Sequence, residues 1–131
     1  MVDLDLSRRA MAAGFRWAPG MRTTTGLFVV AAGDYAARIC DPVDNITYIV
    51  GIEHLLPDFN DPSTLSCLEN QVREKHGQSL HVVIGGTYDS SQWKYFVYTG
   101  SWFTPPGNHL CIANGTTRAE ALISALEKSN G

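Results

Sequence analysis

Charge is scarce in this sequence: Asp, Glu, Lys and Arg make up 18% of 131 residues, against roughly 25% in an ordinary soluble domain. The shortfall implies a surface partly covered by a partner, and a homo-oligomer is the expected form. Net charge is −3, which excludes a general basic face, so duplex nucleic acid is not an expected partner. Cysteine is also sparse. Cys40, Cys67 and Cys111 are an odd set with no C-x-x-C, so a disulfide scaffold is not expected and a reducing compartment fits. Long apolar runs are missing: no stretch approaches the ~18 residues of a membrane span. The opening Met-Val-Asp-Leu-Asp-Leu-Ser-Arg-Arg lacks the apolar centre of a secretory signal. A cytoplasmic location, away from membranes, is the expectation. Catalytic signatures are lacking too. There is no H-E-x-x-H, G-x-S-x-G, Walker loop or G-x-G-x-x-G, and no cofactor, metal site or catalytic residue is assigned.

What is present is enough for a core. Hydrophobic residues make up 44% of the chain, and residues 1–131 read as one α+β domain. Residues 4–13 read as a short helix, with Leu6, Ala10 and Ala13 on one face and Gly14 ending it at positive φ. Phe15 to Met21 reads as an aromatic turn around Pro19-Gly20. Leu27 to Ala32 and Tyr35 to Cys40 read as a hairpin around Gly33-Asp34, with Gly33 supplying a positive φ. Ile46 to Ile52 is a third strand. Asp61 caps a helix over 62–76 that begins at Pro62, carries Leu65, Leu68 and Val72 on one face, and ends in Lys75 and His76. Leu80 to Ile84, Trp93 to Thr99 and His109 to Ala113 read as further strands, the second of them central. Thr117 and Glu120 open a last helix, 117–128, as a capping box. The two glycosylation-like tripeptides at Asn45 and Asn114 read as turns. Hairpin-length links predict a mostly antiparallel sheet of five to six strands packed with about three helices.

Candidate chemistry is thin. The four histidines, His54, His76, His81 and His109, share no metal-ligand spacing. His109 and Cys111 stand two apart, so a strand would place both on one face, where imidazole could activate the thiol. A buried thiol beside a satisfied histidine is the plainer reading. Gly85-Gly86 follows a strand, as phosphate loops do, but no helix follows to supply amides. Lys94 to Tyr98 is an aromatic strand that lacks the glycine of RNA-recognition sheets, and reads as core. Two loop groups are harder to assign to a core: Phe15, Arg16 and Trp17 with Arg22, and Trp102 and Phe103 with Asn108 and His109. Rings beside guanidinium groups can stack on a base or grip phosphate or carboxylate. Arg16, Trp17, Arg22, Trp102, Phe103, Asn108 and His109 are therefore the candidate ligand-binding residues. Rings capping the core under loops would look the same.

Gly14-Phe15-Arg16-Trp17-Ala18-Pro19-Gly20-Met21, Leu56-Pro57-Asp58-Phe59-Asn60-Asp61-Pro62-Ser63-Thr64-Leu65-Ser66-Cys67-Leu68 and Thr117-Arg118-Ala119-Glu120-Ala121-Leu122-Ile123-Ser124-Ala125-Leu126-Glu127 occur in this order. The set resembles a group of small accessory proteins encoded by bacteriophages and prophages. The resemblance implies no catalytic residues. It implies a non-enzymatic binding role in a bacterial host cell, against a host protein or a small nucleotide-like immune signal, antagonising host defence. In the nucleotide version Arg16 or Arg22 would hold phosphate, and Trp17 or Trp102 would stack on the base. A small hydrolase using Cys111 and His109, and a virion assembly protein, are the alternative expectations.

Overall fold

The structure, a computed structural model, describes residues 4–76, 81–86, 93–99 and 110–128. By internal contacts the chain divides into two compact units, Met1–Cys67 and Leu68–Gly131. The division falls inside a helix, where the sequence carries no linker signal.

The first unit opens with helix α1, Leu4–Ala12. Its buried positions are Ser7 and Ala10, so a polar residue occupies part of the packing face. Ser7 is satisfied there because its hydroxyl donates to the Pro57 carbonyl at 2.6 Å. Gly14 ends the helix at φ +95°, and the Phe15 amide returns to the Ala10 carbonyl at 3.0 Å, the closure that a left-handed residue permits.

Strands β1 (Phe28–Ala32), β2 (Ala36–Asp41) and β3 (Ile46–Gly51) form an antiparallel sheet in the order β1-β2-β3. The first hairpin differs from expectation. Its tight turn is closed by Gly33 N–H to Ala36 O at 2.9 Å, which centres it on Asp34-Tyr35, and neither Gly33 nor its neighbours has a positive φ. The ladder instead takes a bulge at Val30. In the β2–β3 turn Asn45 does adopt φ 55°, a conformation its short amide side chain tolerates. The core of this unit includes Phe15, Trp17, Met21, Val29, Ile39, Leu55 and Phe59.

After a 3₁₀ turn at Ile52–His54 comes α2, Pro62–His76. Its start matches the sequence reading: the Asp61 carboxylate accepts from the Thr64 amide at 3.1 Å and the Thr64 hydroxyl at 2.8 Å. Thr64 Oγ1 in turn accepts from the Arg22 amide at 2.8 Å. One buried hydroxyl thus joins the helix cap to the turn before β1.

The second unit holds β4 (His81–Gly86), β5 (Trp93–Thr99), β6 (Leu110–Gly115) and helix α3 (Arg118–Glu127). The strands run antiparallel with β5 in the middle, as its sequence pattern predicts. Gly85 and Gly86 pair with Lys94 and Trp93 inside the ladder, so they are strand and not a phosphate loop. Asn114 lies in β6 rather than in a turn. Helix α3 packs on β5 and β6 and buries Ala121, Leu122, Ile123, Ala125 and Leu126. Its cap has the hydroxyl arm of a capping box. Thr117 Oγ1 accepts from the Glu120 amide at 3.1 Å, but the Glu120 carboxylate reaches Thr116, taking its amide at 3.1 Å and its hydroxyl at 2.6 Å.

The α+β class with three helices therefore stands, while the expectation of one five- to six-stranded sheet is corrected. The described strands form two separate three-stranded sheets. The physical reason is the connection: a hairpin forces neighbouring strands together, but β3 leads into a 3₁₀ turn and a helix before β4.

Candidate functional site

The loop residues singled out by sequence do not assemble into an open site among the described residues. Trp17 is only 8% exposed. Its ring meets Phe15 edge-on at 5.9 Å and 79°, and Phe15 meets Phe59 at 5.3 Å and 85°. This edge-to-face chain is a core arrangement, so Trp17 does not offer the stacking face expected of it. Arg22 is half-buried, with its guanidinium carbon 4.5 Å from the Phe28 ring centroid, a distance at which cation and ring attract. The Trp17 Nε1 and Arg22 Nε groups are buried without a hydrogen-bond partner among the described residues. Arg16 is exposed. Trp102, Phe103, Asn108 and His109 lie outside the described residues.

The cysteine–histidine reading gains no geometry here, since His109 is outside the described residues and Cys111 is placed only as backbone of β6, opposite Tyr98. Cys67 is not an activated thiol: burial first, and the nearby Asp61 carboxylate second, push it above its ordinary value of 9.0. No group of three or more His, Cys, Asp or Glu positioned to hold a metal ion occurs among the described residues. The aromatic strand β5 keeps Val97 fully buried and Tyr95, Phe96 and Tyr98 half-buried.

The more distinctive surface is the first sheet. Ile39, Ala37 and Val29 point to the core side and are buried. The opposite face carries Arg38 beside Ile49, its register partner on β3. Val30, Arg38, Thr47, Tyr48 and Ile49 line a shallow depression of about 660 Å³. Exposure is high for apolar side chains on both faces of this sheet's edge and at its turns: Val30 48%, Ile46 56%, Tyr48 42%, Ile49 68%, and Tyr35 and Val43 89% at the flanking turns. Scattered exposed apolar residues need no explanation, whereas a contiguous group rimmed by polar residues marks a contact surface. Sequence reading placed β3 correctly and missed its exposure. Ile46, Tyr48 and Ile49 fall on both faces of the strand, a pattern also shown by a fully buried strand. Only the sheet order, which puts β3 at an edge, separates the two cases.

Comparison with protein-family models, curated proteins and solved structures returns no match.

Proposed function

We propose that this chain is a non-enzymatic binding protein that docks a protein partner on the outward face of its first sheet. The observation that carries the reading is the depression between Val30, Thr47 and Ile49 with the Arg38 side chain at its side. An apolar surface beside one guanidinium suits a partner offering an apolar side chain next to a carboxylate. The resemblance of the three motifs to phage accessory proteins supplies the class of partner, a host protein whose defence role would be blocked by occupation. Capture of a nucleotide-derived signal has weaker support, because Trp17, the ring assigned to stack on the base, lies in the core.

The test compares the wild-type chain with Arg38→Glu as bait in a bacterial lysate. Arg38 is exposed on the central strand, so the substitution is expected to leave folding intact. One protein retained in stoichiometric amount by the wild type and lost with Arg38→Glu is the expected result. Retention unaffected by the substitution, or no protein retained, rejects this surface as the docking site.

A further inference from the structure

The two outer edges of the first sheet are treated differently. The outer side of β1 is met by the preceding turn, with Gly20 N–H donating to Val29 O and Val29 N–H to Met21 O, each at 2.9 Å. The outer side of β3 is met by no strand among the described residues. Open edges are commonly blunted by a lysine, a proline, a bulge or a covering loop, because unpaired backbone groups template further strands. The β3 sequence Ile-Thr-Tyr-Ile-Val-Gly contains no charge and no proline, and the β2–β3 register runs without a bulge from Ile46 to Gly51.

The ladder shows which groups face outward. Ile52 N–H donates to Tyr35 O at 3.0 Å, and this pair continues the register in which Ala36 faces Gly51 and Ala37 faces Val50. Hydrogen-bonded and non-bonded pairs alternate along an antiparallel ladder. The backbone groups of Ile46, Tyr48 and Val50 therefore point to β2, and those of Thr47, Ile49 and Gly51 point outward.

We infer that the chain forms a two-fold dimer through this edge, β3 pairing antiparallel with β3 of a second copy and Ile49 opposite Ile49. In that register Thr47 stands opposite Gly51 and Gly51 opposite Thr47, so every outward N–H and C=O of the strand is used. A shift by one residue would set groups that face β2 against the second copy. A shift by two in one direction would bring Gly51 opposite Asn45, in the turn, and in the other would bring Thr47 opposite Glu53, in the 3₁₀ turn. The self-complementary register is what a second copy of the chain, related by a two-fold axis, requires.

Area and charge agree with that occupant. The exposed apolar parts of Tyr35, Val43, Ile46, Tyr48 and Ile49, along β3 and at its two ends, sum to roughly 500 Å², taking ~150–250 Å² for a whole aromatic side chain and somewhat less for Val or Ile. A standard interface needs ~800 Å² from each partner, a little over half of it apolar. The chain carries net charge −3, so two copies repel, and an uncharged strand is where they approach at least cost. Pairing leaves Arg38, on the central strand and one strand in from the edge, at the surface of both copies.

Sedimentation velocity from about 1 to about 100 µM reads the dimer directly, since its population must follow concentration. Wild type is expected to dimerise. Ile49→Lys and Ile49→Glu, with like charges brought together at the two-fold axis, are each expected to weaken the dimer by about 100-fold or more. Mixing the two variants is expected to restore it. A wild-type chain that stays monomeric over this range overturns the inference, even if a lysate protein binds the same edge. So does a dimer indifferent to both substitutions, or a mixture of folded variants that stays monomeric. Arg38→Glu leaves the β3 backbone untouched, so capture lost while the dimer persists, or the reverse, separates this inference from the docking proposal.

Discussion

The two units solve the same packing problem by different means. In the second, α3 covers its sheet with an uninterrupted apolar stripe, and Leu122, Ile123, Ala121 and Ala125 are fully buried. Its ends are held by charged and polar groups. Lys75 and His76, at the end of α2, reach the Leu126 and Ala125 carbonyls, the histidine at 2.7 Å, and Glu69 binds Arg118 at 2.8 Å. In the first unit small hydroxyls lie inside: Ser7, Thr23 and Thr64 are each at most 1% exposed. They replace helix-on-sheet packing with side-chain-to-backbone bonds that hold turns in place. The lesson is that a loop-built unit needs buried polar clamps, and that its sheet can then leave apolar residues outside.

Breaking that contrast should show a graded set of effects. Leu122→Ala opens a cavity under α3 and is expected to cost about 2–5 kcal/mol, measured by denaturant unfolding; a loss below ~1 kcal/mol would mean the stripe is not the main support of that unit. Gly115→Ala follows. A Cβ there would sit 2.6 Å from the Ala121 amide nitrogen and 2.8 Å from Glu120 Cβ, and backbone cannot yield cheaply, so about 1–3 kcal/mol is expected. Thr64→Val keeps the volume but strands the Arg22 amide and one arm of the Asp61 cap. A cost of about 1–3 kcal/mol is expected, with hydrogen exchange quickened at Arg22 before it is quickened in α3. An equal loss of protection in both places would erase the proposed difference between clamped turns and packed helix.

Smaller effects sharpen the other half of the comparison. Because the folded Cys67 thiol ionises above 9.0, iodoacetamide should modify it more slowly in native protein than in denaturant at pH 8, followed by peptide mass spectrometry. The raised value favours the neutral thiol in the folded chain, so this contribution is complete below pH 9.0 and declines as pH rises toward the folded value. Smallest of all, at a concentration low enough to keep the chain monomeric, Tyr35→Ser and Val43→Ser should change thermal stability by no more than about 0.5 kcal/mol, because both side chains are 89% exposed. A larger loss would show that these residues support the monomer and are not reserved for a partner.

Much of the fold was legible because its signals are local. Asp61 before Pro62, the Leu68 and Val72 spacing, Gly14 after α1 and Thr117 before α3 each depend on neighbours in the chain, and each appears where the pattern puts it. The hairpin at Gly33 misled because glycine permits a positive φ without requiring one. The Phe15–Trp17 segment misled more seriously. Its aromatic residues sit among turn signals, and only contact with Phe59, far along the chain, makes them core. The hydroxyl clamps were invisible for the same reason, since Ser7 meets Pro57 and Thr64 meets Arg22 across many intervening residues.

By itself, the sequence determined the helices, the strands and most of their caps, because hydrogen bonds over three or four residues and apolar periodicity are written locally. Its net charge of −3 argues against a general basic face, and no helix among the described residues is long and apolar enough to cross a membrane. Only tertiary structure decided that the strands form two sheets, that Trp17 is interior, and that β3 lies at an edge with Ile46, Tyr48 and Ile49 exposed. Burial is a property of what else arrives at a residue, and a strand apolar on both faces reads alike at the centre of a sheet and at its rim.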